Sequence, residues 1–228
     1  MSAPQQPAPG SSMPSDDLRA RVMAAVRAEP VSPRALGLRR RVGWLSLALV
    51  FWVSVSWAIG LPGLRGRPFA YVSSLAVAWL LVGAAATWAG VARGHSMLGR
   101  KAVWRSATAA LTPLALLASS LALGVVWPET LTDNATIDRH LLCIVGTVGF
   151  GLGPLAVFVA MWRASDPVAP RLTGAAIAAA AGAWGALAIE LHCRFTSPFH
   201  VVIGHVLPVS LMALWGVRLG RRYLAVRS

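Results

Sequence analysis

Charge is what this sequence most lacks. Only 13% of its 228 residues are charged, and eight of them are acidic; soluble domains carry roughly 25%. Two cysteines are too few for a disulfide scaffold, and no CxxC motif is present to mark a thiol-exchange enzyme. A convincing long internal repeat is also absent. The glycine-rich run GFGLGP (149–154) has no strand before it and no lysine after it, so it does not read as a phosphate loop.

What is there is apolar. Hydrophobic residues make up 56% of the chain and the mean hydropathy is +0.62. Several runs approach or exceed the roughly 20 residues that span a bilayer. Six spans are read at 42–60, 69–91, 102–127, 140–161, 171–193 and 198–217. Glycine and proline interrupt the fourth (Gly146, Gly149, Gly151, Gly153, Pro154) and the sixth (Gly204, Pro208). The expected fold is an all-α membrane protein, a six-transmembrane-helix bundle at 42–217. A short cytoplasmic tail (1–41) precedes it and a basic cytoplasmic C-terminus (218–228) follows.

The arginines set the orientation. Seventeen basic residues fall on the side of the two termini, and four (Arg65, Arg67, Arg139, Arg194) fall on the other. The positive-inside rule then places both termini in the cytoplasm, as an even number of spans requires. A net charge of +13 on a soluble domain would point to nucleic acid. Here topology accounts for it, and no direct nucleic-acid partner is expected. The first span follows 41 residues without a convincing cleavage site, so it reads as a retained signal anchor. Tryptophans gather at span ends (Trp44, Trp57, Trp88, Trp104, Trp127, Trp162, Trp215), as an aromatic belt does.

In the tail, SDDLRARVMAAVRAEP (15–30) reads as a short helix, capped by Ser15 or Asp16 and ended at Pro30. Leu18, Val22 and Val26 form its apolar stripe, flanked by Arg19, Arg21 and Arg27. Such a helix is marginal alone in water, so it needs either an anionic lipid surface or a partner's groove.

The chemistry concentrates on the outer side. Cys143 lies about one turn inside the fourth span and Cys193 at the end of the fifth. Counted from their shared cytoplasmic loop, the two stand about 29 and 33 Å up at roughly 1.5 Å per residue. Spacing matches their heights but leaves open whether they face one another. His140 and Cys143, at i and i+3, share a helix face. With His192 and Cys193 they make a candidate site for a thiophilic metal ion such as zinc. His192 and Cys193 diverge by about 100° on a helix, so both join only if the helix ends there. The plain alternative is that each cysteine is a small buried hydrophobe. His200 and His205, five apart, diverge by about 140° and are not expected to act together. Glu190 has His192 or Arg194 as its nearest candidate partners. Gly174, Ala178, Gly182 and Ala186 form a small-xxx-small face on the fifth span, which permits close helix approach.

RHLLC (139–143), WRASDPVAPRLTGA (162–175) and AIELHC (188–193) together resemble the NrsF family of polytopic bacterial anti-sigma factors. The resemblance implies an inner-membrane protein that holds an extracytoplasmic-function sigma factor inactive. It also implies release on oxidative or metal stress, with light-derived stress a further possibility. The resemblance then makes Cys143 and Cys193 the sensing residues, with His192 beside the second; His140 joins them by its spacing from Cys143. Under this reading the partners are a sigma factor and the lipid bilayer, and no catalytic residue is expected. Two other classes compete: a membrane thiol-redox or metal-handling protein, and a small transporter. The scarcity of ionisable residues well inside the spans, His205 apart, argues against transport.

Overall fold

The computed structural model describes residues 20–21, 23–24, 33–64, 66–91, 102–131, 135–162 and 168–225. The chain divides between Val42 and Gly43 into two units. In the first unit, residues 20–21, 23–24 and 33–42 are described and are helical. Arg21 is exposed there, whereas Leu18, Arg19, Val22, Val26 and Arg27 lie outside the described residues.

Helices dominate the described residues, and among these there is no strand. They are α1 (Pro33–Ile59), α2 (Phe69–Val91), α3 (Ala102–Val126), α4 (Ile137–Trp162), α5 (Pro170–His192) and α6 (Pro198–Leu224). Each is long and apolar enough to cross a membrane, α1 from Val42 onward. Local chemistry sets the ends. Gly60 closes α1 with φ +81°, and its N–H donates to the Trp57 carbonyl at 3.0 Å. Ser197 caps α6 by accepting from His200 N, with Pro198 at the first helical position.

The bundle is built around α5. From Thr173 to Glu190 it is buried almost throughout, and α2, α3, α4 and α6 all pack on it. Small side chains make this possible, because alanine and glycine let four neighbours close on one axis. A Cβ at Gly174 would overlap the backbone of Gly216 and Gly220, so α5 and α6 touch main chain to main chain there. Around this core the apolar side chains turn outward, among them Val50, Leu81, Val125 and Leu214. That inside-out pattern is the one a lipid solvent would match. The second, third and sixth tryptophans of the expected belt differ among themselves: Trp57 and Trp88 are exposed, but Trp162 is buried with the Arg105 guanidinium 5.8 Å from its ring.

Three local expectations change. First, α4 is uninterrupted: Pro154 sits inside it, and Gly146 and Gly151 admit the Ile189 and Met212 side chains instead of breaking the helix. Second, α4 starts at Ile137 rather than 140, because the Thr136 carbonyl accepts from both Arg139 N and His140 N. Third, α6 runs on past residue 217 to Leu224; its interruption at Gly204 and Pro208 takes the form of a π-helical turn at Val202–Val206, which contains Gly204 and ends two residues before Pro208, and a second π turn follows at Gly220–Leu224.

Candidate thiol and imidazole site

One end of the bundle collects the finish of α1, α3 and α5 and the start of α2, α4 and α6. Its connections are tied together by Thr196 Oγ1 donating to the Thr130 carbonyl and by Arg67 reaching Glu190. Here Cys143, one and a half turns into α4, meets Cys193, the first residue past α5. Their sulfurs lie 3.6 Å apart as free thiols, and both are buried. Cys193 is in extended conformation (φ −85°, ψ 139°), so the helix does end at His192 and the next side chain is free to turn inward.

The imidazoles at these sulfurs are not the expected ones. Cys193 Sγ lies 3.1 Å from His200 Nε2, and Cys143, Cys193, His200 and His205 each offer a ligand atom within 4.8 Å of the others. His200 and His205 have ring centroids 5.4 Å apart. The reason is the π turn at Val202–Val206. Its i→i+5 hydrogen bonding brings residues five apart onto one side, where an α-helix would separate them. His140 stays beside the cluster, its ring 4.7 Å from that of His200, but its Nδ1 donates to the Thr136 carbonyl at 2.9 Å. His192 lies outside the four-residue group, although it lines the same cavity as both cysteines: Nδ1 donates to the Ala188 carbonyl at 2.6 Å, Nε2 faces the Ser56 carbonyl at 3.3 Å, and the ring packs on Phe150.

Behind the cluster stands a buried ion pair. Arg67 Nη1 donates to Glu190 Oε1 at 2.6 Å, Nη2 to the Glu190 carbonyl at 2.9 Å, and Nε to the Gly63 carbonyl at 2.7 Å. Glu190 therefore pairs with neither His192 nor Arg194. Its second oxygen, Oε2, lies 3.8 Å from His205 Nδ1, and Trp79 packs edge-on against the same imidazole. Gly63 belongs to this arrangement by size, since a Cβ there would collide with the carbonyls of Leu191 and Cys193. Charge counting groups Arg67 with the residues at this end of the bundle, but no local signal ties it to a carboxylate 123 positions later.

The donor set fits a thiophilic cation. Two thiolate ligands at about 2.3 Å in a tetrahedron stand about 3.8 Å apart, close to the 3.6 Å found. His205 Nδ1 and Nε2, His200 Nδ1 and Glu190 Oε2 are buried without a hydrogen-bond partner, which is costly unless something binds them. The same sulfurs are also placed for oxidation to a disulfide, which needs an approach to about 2.05 Å. The Cys193 thiol, in the segment joining α5 to α6, is pushed up to about 11, first by its hydrogen bond with Cys143 and then by burial. The imidazoles of His200 and His205 pull the other way. Metal binding and oxidation therefore both require that this proton be removed.

No curated protein and no solved structure matches this chain. A family model, described as a negative regulator of sigma F, matches residues 25–225. A match over that much of the chain settles kinship: it belongs to the NrsF family, negative regulators of a sigma factor.

Proposed function

We propose that this protein is a multi-pass anti-sigma factor of the bacterial inner membrane, with both termini in the cytoplasm. It sequesters an extracytoplasmic-function sigma factor through its N-terminal tail and releases it when Cys143 and Cys193 react. It acts as a stoichiometric sensor rather than as an enzyme. The observation that carries this reading is the pair of free sulfurs 3.6 Å apart beside His200 and His205, in a protein whose family regulates a sigma factor.

Such a reaction has the right scale. Shifting a two-state balance from about 99:1 to 1:99 takes about 5.5 kcal/mol. A disulfide across 50 residues contributes a few kcal/mol. A bound thiophilic ion would supply a comparable linkage, held by Cys143, Cys193, His200 and His205, and would draw the cluster's segments together. Either event acts on α5, which packs on four other helices, so its displacement reaches the opposite end of the bundle.

The test is a Cys143→Ser, Cys193→Ser double variant in cells carrying a sigma-dependent reporter. It should still repress the reporter and no longer respond to thiol oxidants or soft metal ions. A normal response from this variant would refute the switch while leaving sigma binding intact. A metal-handling role is the second reading, favoured by the four-ligand cluster; it predicts ion uptake without any effect on the reporter.

A further inference from the structure

A cavity of about 570 Å³ opens beside the thiols, between the end of α1, α4 and the end of α5. Its size falls within the roughly 300–1,000 Å³ typical of small-molecule sites. Both Cys143 and Cys193 line it. Its walls include Ile59, Leu142 and Val145, whose side chains are otherwise exposed on the outside of the bundle. In a bilayer those residues meet acyl chains, so the cavity opens sideways to lipid. Arg139 and Arg194 also line it and are exposed, and neither has an ion pair among the described residues. An apolar trough ending in two free guanidiniums is complementary to a single-chain carboxylate.

We propose that this cavity binds a fatty-acid hydroperoxide, the carboxylate on Arg139 and Arg194 and the chain along α4, and that this oxidant class is what the paired thiols read. The inference rests on the thiol-sensing, membrane-embedded reading above and names its reactant.

The chemistry closes within the cluster. His200 Nε2, 3.1 Å from Cys193 Sγ, takes the thiol proton. The thiolate attacks the terminal oxygen of the hydroperoxide, the O–O bond breaks, and the departing alkoxide receives that proton and leaves as the fatty-acid alcohol. Cys193 is then a sulfenic acid. The Cys143 sulfur, 3.6 Å away, attacks it. A disulfide forms, and hydroxide departs with the Cys143 proton as water. The two thiols lose two electrons and the hydroperoxide gains two. Both cysteines are nearly closed to water, at 7% and 5% exposure, so a reactant concentrated in lipid has the advantage over a dilute one in water.

The full-length protein, reduced and reconstituted in neutral phosphatidylcholine nanodiscs, tests this directly. Disulfide formation is followed by alkylation and mass spectrometry with linoleic acid hydroperoxide, its methyl ester and hydrogen peroxide. The free acid should react at least tenfold faster than either of the other two. In an Arg139→Gln, Arg194→Gln variant the ratio of the acid rate to the hydrogen peroxide rate should fall at least tenfold. If acid and ester react equally in the wild type, or the ratio is unchanged in the variant, the proposed site is wrong while thiol sensing stands. If no oxidant joins the two cysteines, oxidant sensing falls with it, and only the metal-ion arm of that reading stands.

Discussion

His200 and His205 face one another in α6, ring centroids 5.4 Å apart, although an α-helix would turn them about 140° from each other. One extra residue in the π turn Val202–Val206 makes the difference. Single-turn π-bulges recur at functional sites, where they re-aim side chains without ending the helix. This one delivers two imidazoles to two sulfurs that come from α4 and from the end of α5.

The turn itself can be tested by changing its length. Deleting Val202, an exposed member of it, leaves the two histidines four apart, a spacing an α-helix places on one face. Cadmium affinity, measured by competition in detergent, should stay within about fivefold of wild type. Inserting an alanine after Val202 makes the spacing six and should abolish it. Equal loss in both variants would mean that the bulge does not position the imidazoles.

The ligand set makes a sharper prediction. Substituting Cys143, Cys193, His200 or His205 by alanine should each weaken cadmium or zinc binding at least tenfold. His140→Ala should have a smaller effect, and His192→Ala little, because neither belongs to the group whose ligand atoms lie within 4.8 Å of one another. Binding must expel the Cys193 proton, held up to about 11. Affinity should therefore rise from pH 6 to pH 8, by up to about tenfold per pH unit for that proton alone. Calorimetry in two buffers of different ionisation enthalpy reads the protons released.

How much of this was legible beforehand follows from what distance along the chain can carry. The six apolar helices, and the matching heights of Cys143 and Cys193, follow from run length and a rise per residue. Both are local quantities. The facing of the two sulfurs is rotational and depends on α4 and α5 packing at Gly146 and Ile189. The meeting of His200 and His205 is hidden for one reason: α-helical periodicity through VIGHV sets them apart, and the backbone there is π-helical. Glu190 was correctly singled out as an ionisable group inside an apolar stretch. Its partner was not, because tertiary contact alone brings Arg67 to it.

The close seam between α5 and α6 predicts a steric failure. A side chain at Gly174 or Gly216 meets backbone rather than a flexible neighbour, so Gly216→Val should push the helices apart. Overpacking of this kind costs about 1–3 kcal/mol. Gly43→Ala, with nothing within 4 Å of the added Cβ, is the control and should be neutral. Thermal unfolding of the detergent-solubilised protein separates them, and the sigma-dependent reporter should be raised without any stress in Gly216→Val alone.

The Arg67–Glu190 pair offers a thermodynamic cycle. Each partner is buried, with side chains 5% and 2% exposed, and each is the other's countercharge. Removing one leaves the other uncompensated, which costs about 3–5 kcal/mol in buried sites, whereas replacing both by apolar residues of similar volume is often neutral. Glu190→Met and Arg67→Met should each destabilise the protein strongly. The double variant should recover most of the loss, giving a coupling energy of a few kcal/mol. Stability alone would make the pair a structural clip. If Glu190 also orients His205, from 3.8 Å away, the double variant should regain its stability and still bind cadmium about 10–100-fold more weakly, the usual effect of losing a carboxylate behind a metal-binding histidine. A double variant that recovers both stability and affinity would confine Glu190 to the clip.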